Sequence, residues 1–225
     1  MTAKTSQSMT PKSLTYKTAL FSSLAVLLLL PTLVFAHPGH GLMAEDASFM
    51  SSVLSGILHP LTGFDHLMLA LGMGLLFSQM HSFKKGFVAL LIGLVAGFAL
   101  SLIVGLSSIF IEYGILFSIV VLTMALMSRY FNTALNQSSK MSVKTIYNFL
   151  VIGFGALAMF HGAAHAIEIP TNSNTAGFFI GMIVAMLGLY TVGKGVAIYL
   201  NNHLQNSLII QRIIAVAGLC AVLLS

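Results

Sequence analysis

Charged side chains are scarce in this sequence: ten Lys or Arg and five Asp or Glu in 225 residues, against about a quarter of the residues in an ordinary soluble domain. A water-facing surface cannot be built from so few, which excludes the soluble enzyme folds. The net charge of +5 does not point to nucleic acid. Its basic residues stand singly or in pairs between apolar runs, as topology signals do, and form no phosphate-binding face. Cysteine is all but missing. Cys220 stands alone in the last apolar run, so no intrachain disulfide forms and the thiol is packed or lipid-facing. The phosphate-cradling loop G-x-x-x-x-G-K-S/T is also absent, which argues against direct ATP drive by this subunit.

Hydrophobic residues make up 57% of the chain. They fall into several runs of about 20 residues, each long enough to cross a bilayer core of roughly 30 Å. The expected fold is all-α, a polytopic membrane bundle. The first segment reads as an address. Residues 1–36 carry Lys4, Lys12 and Lys17, an apolar stretch from Ala19 to Leu30, then Pro31 and the ending Val34-Phe35-Ala36, the three regions of a cleavable signal peptide in order. An uncleaved signal anchor is the alternative, with an apolar core short for a span. Cleavage after Ala36 would start the mature chain at His37-Pro38-Gly39-His40-Gly41, beyond the membrane.

Residues 37–225 read as one transmembrane domain of six spans, near 62–80, 86–106, 109–128, 146–167, 175–199 and 207–225. Six spans after a signal put both mature ends outside. The remaining basic residues agree, because cytoplasmic loops should hold them. Lys84 and Lys85 fall between the first two spans, Arg129, Lys140 and Lys144 between the third and fourth, and Lys194 and Arg212 around the last junction. The stretch from Phe49 to Met80 is too long for one straight crossing. Pro60 and Gly63 mark the expected break, with Phe49 to Leu58 as a short interfacial or re-entrant helix. Ala89, Gly93, Gly97 and Ser101, and Gly177 with Gly181, are small residues at helical spacing that permit close packing.

Ionisable residues are costly inside a membrane, so their placement is informative. His59, Asp65 and His66 stand at the outer start of the first span, and His161, His165 and Glu168 at the outer end of the fourth. Spacings of four and three put the second trio on one helix face. Imidazoles and carboxylates from two helices suit a borderline divalent metal such as nickel, cobalt or zinc. Asp65 and Glu168 would either bind metal or accept the second ring proton of a ligating histidine. Glu112, at the outer start of the third span, is placed to complete the site or offset its charge. His37 and His40 are candidates for capture at the mature N-terminus. His81 and His203, at the cytoplasmic boundary, read as interface residues, and Glu45 with Asp46 as a solvated outer face.

A proton relay uses the same residue types and stays open. Met68, Met73, Met80 and Met159 would suit monovalent copper, but methionine at helical spacing in apolar spans is commonly core filler. A metalloprotease is disfavoured, because Gly162 follows His161 where H-E-x-x-H needs its general base.

The two clusters resemble the signatures of the HupE/UreJ family of nickel and cobalt permeases: a His followed after five residues by Asp-His, and a later Phe-His-Gly-x-Ala/Val-His-Gly-x-Glu run. The first is matched at His59, Asp65 and His66. The second is matched at Phe160, His161, Gly162, Ala164, His165 and Glu168, with a departure at Ala166, where the family has glycine. The signal, the histidine-rich mature start, the six spans and Glu112 are similar to the family as well. The resemblance implies uptake of Ni2+ or Co2+ across a bacterial inner membrane, with the ion as transported substrate and no permanently bound cofactor. It also implies onward supply to hydrogenase, urease or cobalamin-dependent enzymes.

Overall fold

A computed structural model describes residues 48–128, 140–204 and 206–224, with backbone alone at 140–144. The proposed signal peptide, Glu45, Asp46 and the histidines at 37 and 40 lie outside the described residues. Among the described residues there are seven helices and no strand: α1 (Phe49–Thr62), α2 (Phe64–Gln79), α3 (Phe83–Val104), α4 (Ser108–Met127), α5 (Lys140–Ile167), α6 (Thr175–His203) and α7 (Ser207–Leu224). The last five contain stretches long and apolar enough to cross a membrane. α1 and α2 pass that test only together, bent by 80° at their junction. The expected six spans correspond to these five helices plus the bent pair taken as one. The protein is a polytopic helical membrane protein.

Short polar residues start the helices at the loops. The side chains of Ser48, Ser107 and Asn174 accept hydrogen bonds from the backbone N–H of Ser51, Phe110 and Gly177, satisfying donors that the first helical turn leaves unpaired. α3 stops at Gly105, whose φ of 68° is left-handed, a conformation that costs glycine little.

α2 is the central element and touches all six other helices. Leu69, Ala70, Met73 and Phe77 on it have no exposed surface. Around the rim, Ile92, Phe117, Phe149 and Ile152 are exposed, the apolar surface that a bundle presents to lipid. Two seams fix the helices that carry the histidines. α3 lies against α5 so closely that a Cβ at Gly97 would overlap the backbone of Met159, and one at Gly162 the backbone of Leu94. α1 lies against α6 in the same way, Gly56 on Phe178 and Gly181 on Val53. Lipid supplies no hydrophobic drive between helices, so contacts of this closeness are what hold them.

The break in the first span falls at Gly63, one of the two residues expected to mark it, and α1 runs four residues beyond the expected Leu58. α1 runs through Pro60 to Thr62 and turns at Gly63. Proline removes one backbone donor, but its fixed φ suits a helix, and here only two residues follow it. Gly63 is extended, with φ −95° and ψ 125°. A Cβ there would collide with His66 Nδ1 and stand 2.9 Å from Asp65 Oδ1. The corner therefore sits where the Asp65 and His66 side chains fold back over the backbone. α2 has 16 residues, about 24 Å of helix, so it reaches across a roughly 30 Å core only with help from α1.

Candidate metal centre

Three helix ends meet at one end of the bundle. The last turn of α1 supplies His59, whose carbonyl accepts a 2.8 Å hydrogen bond from Thr62 Oγ1 and whose ring leans on Phe178 of α6, centroids 5.6 Å apart. The corner at Gly63 delivers Asp65 and His66 in the first turn of α2. The last two turns of α5 supply His161 and His165. Glu168 continues that helical path, its N–H bonded to the Ala164 carbonyl at 3.1 Å.

The bend settles the relative direction of His59 and His66, which spacing alone left open: their rings lie 5.3 Å apart. His165 joins them, with centroids 5.0 Å from His59 and 4.7 Å from His66. Glu168 Oε2 stands 3.1 Å from His59 Nε2 and 3.5 Å from His165 Nδ1. One ligand atom from each of His59, His66, His165 and Glu168 lies within 4.8 Å of all the others. Metal bonds of about 2.1 Å set opposite ligands of an octahedron about 4.2 Å apart. Small side-chain shifts would close this group on an ion.

Asp65 and His161 form a second tier. Asp65 Oδ1 is 2.9 Å from His66 Nδ1, and Oδ2 is 3.9 Å from His161 Nε2, so the carboxylate lies between two imidazoles. Exposure falls steadily through the cluster, with side-chain values of 43% for Glu168, 23% for His59, 6% for His66 and 0% for His165 and His161. The two carboxylates, Glu168 and Asp65 at 26%, are the most exposed members, and the imidazoles of His66, His161 and His165 lie deepest. Burial opposes ionisation of Glu168, but hydrogen bonds and attraction from His165 and His59 outweigh it and hold the carboxyl below the usual carboxylate range.

Both ring nitrogens of His161 and the Nε2 atoms of His66 and His165 are buried without a hydrogen-bond partner, while Nδ1 of His66 and of His165 face the carboxylates of Asp65 and Glu168. Such groups are costly unless a ligand, ion or water satisfies them. Four unpartnered imidazole nitrogens beside two carboxylates form a buried donor set within one cluster.

Of the expected site residues, the structure gathers His59, Asp65, His66, His161, His165 and Glu168. Glu112 stands apart from this group, exposed on α4. At the opposite end, His203 is engaged by its own helix, Nδ1 3.0 Å from the Tyr199 carbonyl and its ring stacked on Tyr199. Met73 and Met80 lie in the apolar core. Ala166, where the sequence departs from glycine, is only partly buried. Sequence reasoning passed over two supports: Phe178, which backs His59, and Ser52, a buried hydroxyl that accepts a 2.8 Å hydrogen bond from the Asn174 N–H. Ser52, Gly56 and Pro60 are the buried residues of α1, and their four-residue spacing is the signal that would have found that face.

The family model described as "HupE / UreJ protein" matches residues 24–224. A curated relative, "Protein HupE" of Rhizobium leguminosarum bv. viciae, is 28% identical over 172 residues, covering 76% of this chain and 78% of the relative. No solved structure matches the chain.

Proposed function

The chain belongs to the HupE/UreJ family, and on that footing we propose that it is a permease importing a divalent transition metal, Ni2+ or Co2+, across the bacterial inner membrane. The observation that carries this reading is the convergence of His59, His66, His165 and Glu168 with buried imidazole nitrogens left unpartnered. Neutral imidazoles and a carboxylate are ligands for borderline divalent ions. Apolar neighbours add no rival donors.

In this reading the histidine end faces outside, as the basic loops suggest, and both mature ends lie on that side. Glu168, the most exposed member, meets the hydrated ion first. Its charge attracts the cation and its oxygen replaces a water. His59 and His165 flank it, so the ion trades water for nitrogen as it moves inward. Asp65 holds the His66 and His161 rings in orientation and offsets the arriving charge. His37 and His40 are proposed capture ligands ahead of this site, and Glu112 a supporting charge on the same side. A membrane potential of about 100 mV favours inward movement of a divalent cation by roughly 4.6 kcal/mol, at about 2.3 per charge.

A sensor or accessory protein could hold metal with the same ligands, and flux separates the two readings. The purified chain in sealed vesicles should bind nickel or cobalt saturably and accumulate it inside under an inside-negative potential. Binding without accumulation would replace the permease by the sensor, and absence of both would favour a proton relay.

A further inference from the structure

At the end of the bundle away from the histidines lies a second polar group in an apolar setting. Gln79 closes α2 and donates through Nε2 to Gln211 Oε1 of α7. Gln211 in turn donates through Nε2 to Asn201 Oδ1 of α6 at 3.2 Å. Gln211 is only 2% exposed, whereas Asn201 lies at the exposed edge of α6. The amides therefore run from the interior to the surface and tie three helices together.

α2 joins the two polar groups. Asp65 and His66 stand in its first turn and Gln79 is its last residue. Between them Leu69, Ala70, Met73, Leu76 and Phe77 are at most 2% exposed, so an ion leaving the histidines inward meets a closed apolar wall. The helix is bounded by two corners, the 80° bend at Gly63 and the turn at Met80–Ser82. There His81 holds a φ of 51°, a left-handed conformation that L-residues adopt at a cost. A helix of about 24 Å between two corners has hinge points at both ends. Along α6 it rests on glycine contacts, Gly74 against the Tyr190 backbone and Gly193 against the Leu71 backbone. Any displacement of its far end must first break the bond from Gln79 to Gln211.

We propose that Gln79, Asn201 and Gln211 form the inner gate of the permease, an amide clasp that holds α2 against α6 and α7 while metal is bound outside and that opens to release it. The proposal rests on the permease reading. Amide hydrogen bonds between membrane helices are weak enough to be broken and remade in each cycle. Opened, each amide finds water at the cytoplasmic surface, so the open form leaves no buried donor unpaired.

The test uses the full chain in a Cys220→Ser background carrying Gln79→Cys and Gln211→Cys, reconstituted in sealed vesicles. A short bis-methanethiosulfonate bridges the two thiols, and mass spectrometry scores the bridge. Bridging should cut nickel uptake by about tenfold or more, in the manner of a locked lid. Dithiothreitol should restore uptake, and equilibrium nickel binding should stay unchanged throughout. Uptake by the bridged protein at the unbridged rate would overturn the gate. A second variant covers incomplete bridging: Gln79→Leu with Gln211→Leu removes both partners at once, and the gate requires its uptake rate to change while its nickel affinity does not. An uptake rate equal to that of the unmodified chain overturns the proposal. If the unmodified chain binds nickel and accumulates none, the permease reading itself fails and the gate falls with it.

Discussion

Substituting Gly63 by alanine isolates the corner geometry from the ligands themselves. Alanine takes up the extended backbone of residue 63 (φ −95°, ψ 125°) without strain, so the chain should still fold and insert. The added methyl, however, would collide with His66 Nδ1 and lie 2.9 Å from Asp65 Oδ1, where ordinary contact begins at about 3.5 Å. Both are the ends of mobile side chains, so they yield before the backbone does. The His66 ring must swing away by about an ångström, which removes it from the group formed with His59, His165 and Glu168. Losing the positioning of one metal ligand typically costs about 10- to 100-fold in affinity. Nickel affinity of Gly63→Ala should therefore fall by about that factor by equilibrium titration, with the thermal midpoint little changed. Gly105→Ala is the matched control. Gly105 has a φ of 68° with open space around its Cβ position, so alanine there should cost about 1 kcal/mol of stability and leave nickel affinity alone. Unaltered nickel binding by a folded Gly63→Ala protein would refute the packing of His66 over residue 63.

Further outcomes follow from the same geometry. His165→Ala removes a fully buried imidazole from the group and should lower metal affinity by about tenfold or more, whereas His203→Ala, whose ring serves its own helix, should leave it unchanged in the same titration. Glu168→Gln keeps the shape of the mouth but removes its charge. Stopped-flow mixing should show a slower association rate with a weaker dependence on salt. Acidification should weaken nickel binding, because ligating imidazoles must be neutral; an affinity that stays flat down to the pH at which the protein unfolds would exclude an imidazole cage. Gly162→Val drives two methyls into the Leu94 backbone and should cost about 1 to 3 kcal/mol or block insertion, visible as a lowered thermal midpoint or loss of membrane-inserted protein.

Much of the architecture was legible because hydrocarbon imposes a simple rule: every backbone polar group must be bonded within its own segment, so long apolar runs become helices. The spans, the small-residue seams at Gly97 and Gly181 and the shared level of the two histidine clusters all follow from one-dimensional spacing. The corner followed only in part: Pro60 and Gly63 both marked it, and the turn falls at Gly63, where Asp65 and His66 fold back over the backbone. The division of the cluster was also beyond reach. His161 and His165 share a helix face, yet only His165 joins His59 and Glu168, while His161 faces Asp65 at 3.9 Å. Glu112 is exposed on α4 and outside the group; a span boundary says how far along a helix a residue lies and not which neighbour it faces. Ser52 and Phe178 went unread because a lone serine or phenylalanine in an apolar helix carries no chemical signal until its neighbour is known.

Nickel accumulation tests the account most directly. Sealed vesicles of known sidedness, held at an inside-negative potential, would be given radiolabelled nickel, and separately cobalt, with the unmodified chain, His66→Ala or His161→Ala inserted at equal amounts. The account predicts saturable accumulation by the unmodified chain and loss of it in both variants. Undiminished accumulation in both variants would contradict it, since the ion would then cross by a route that bypasses the histidine cluster.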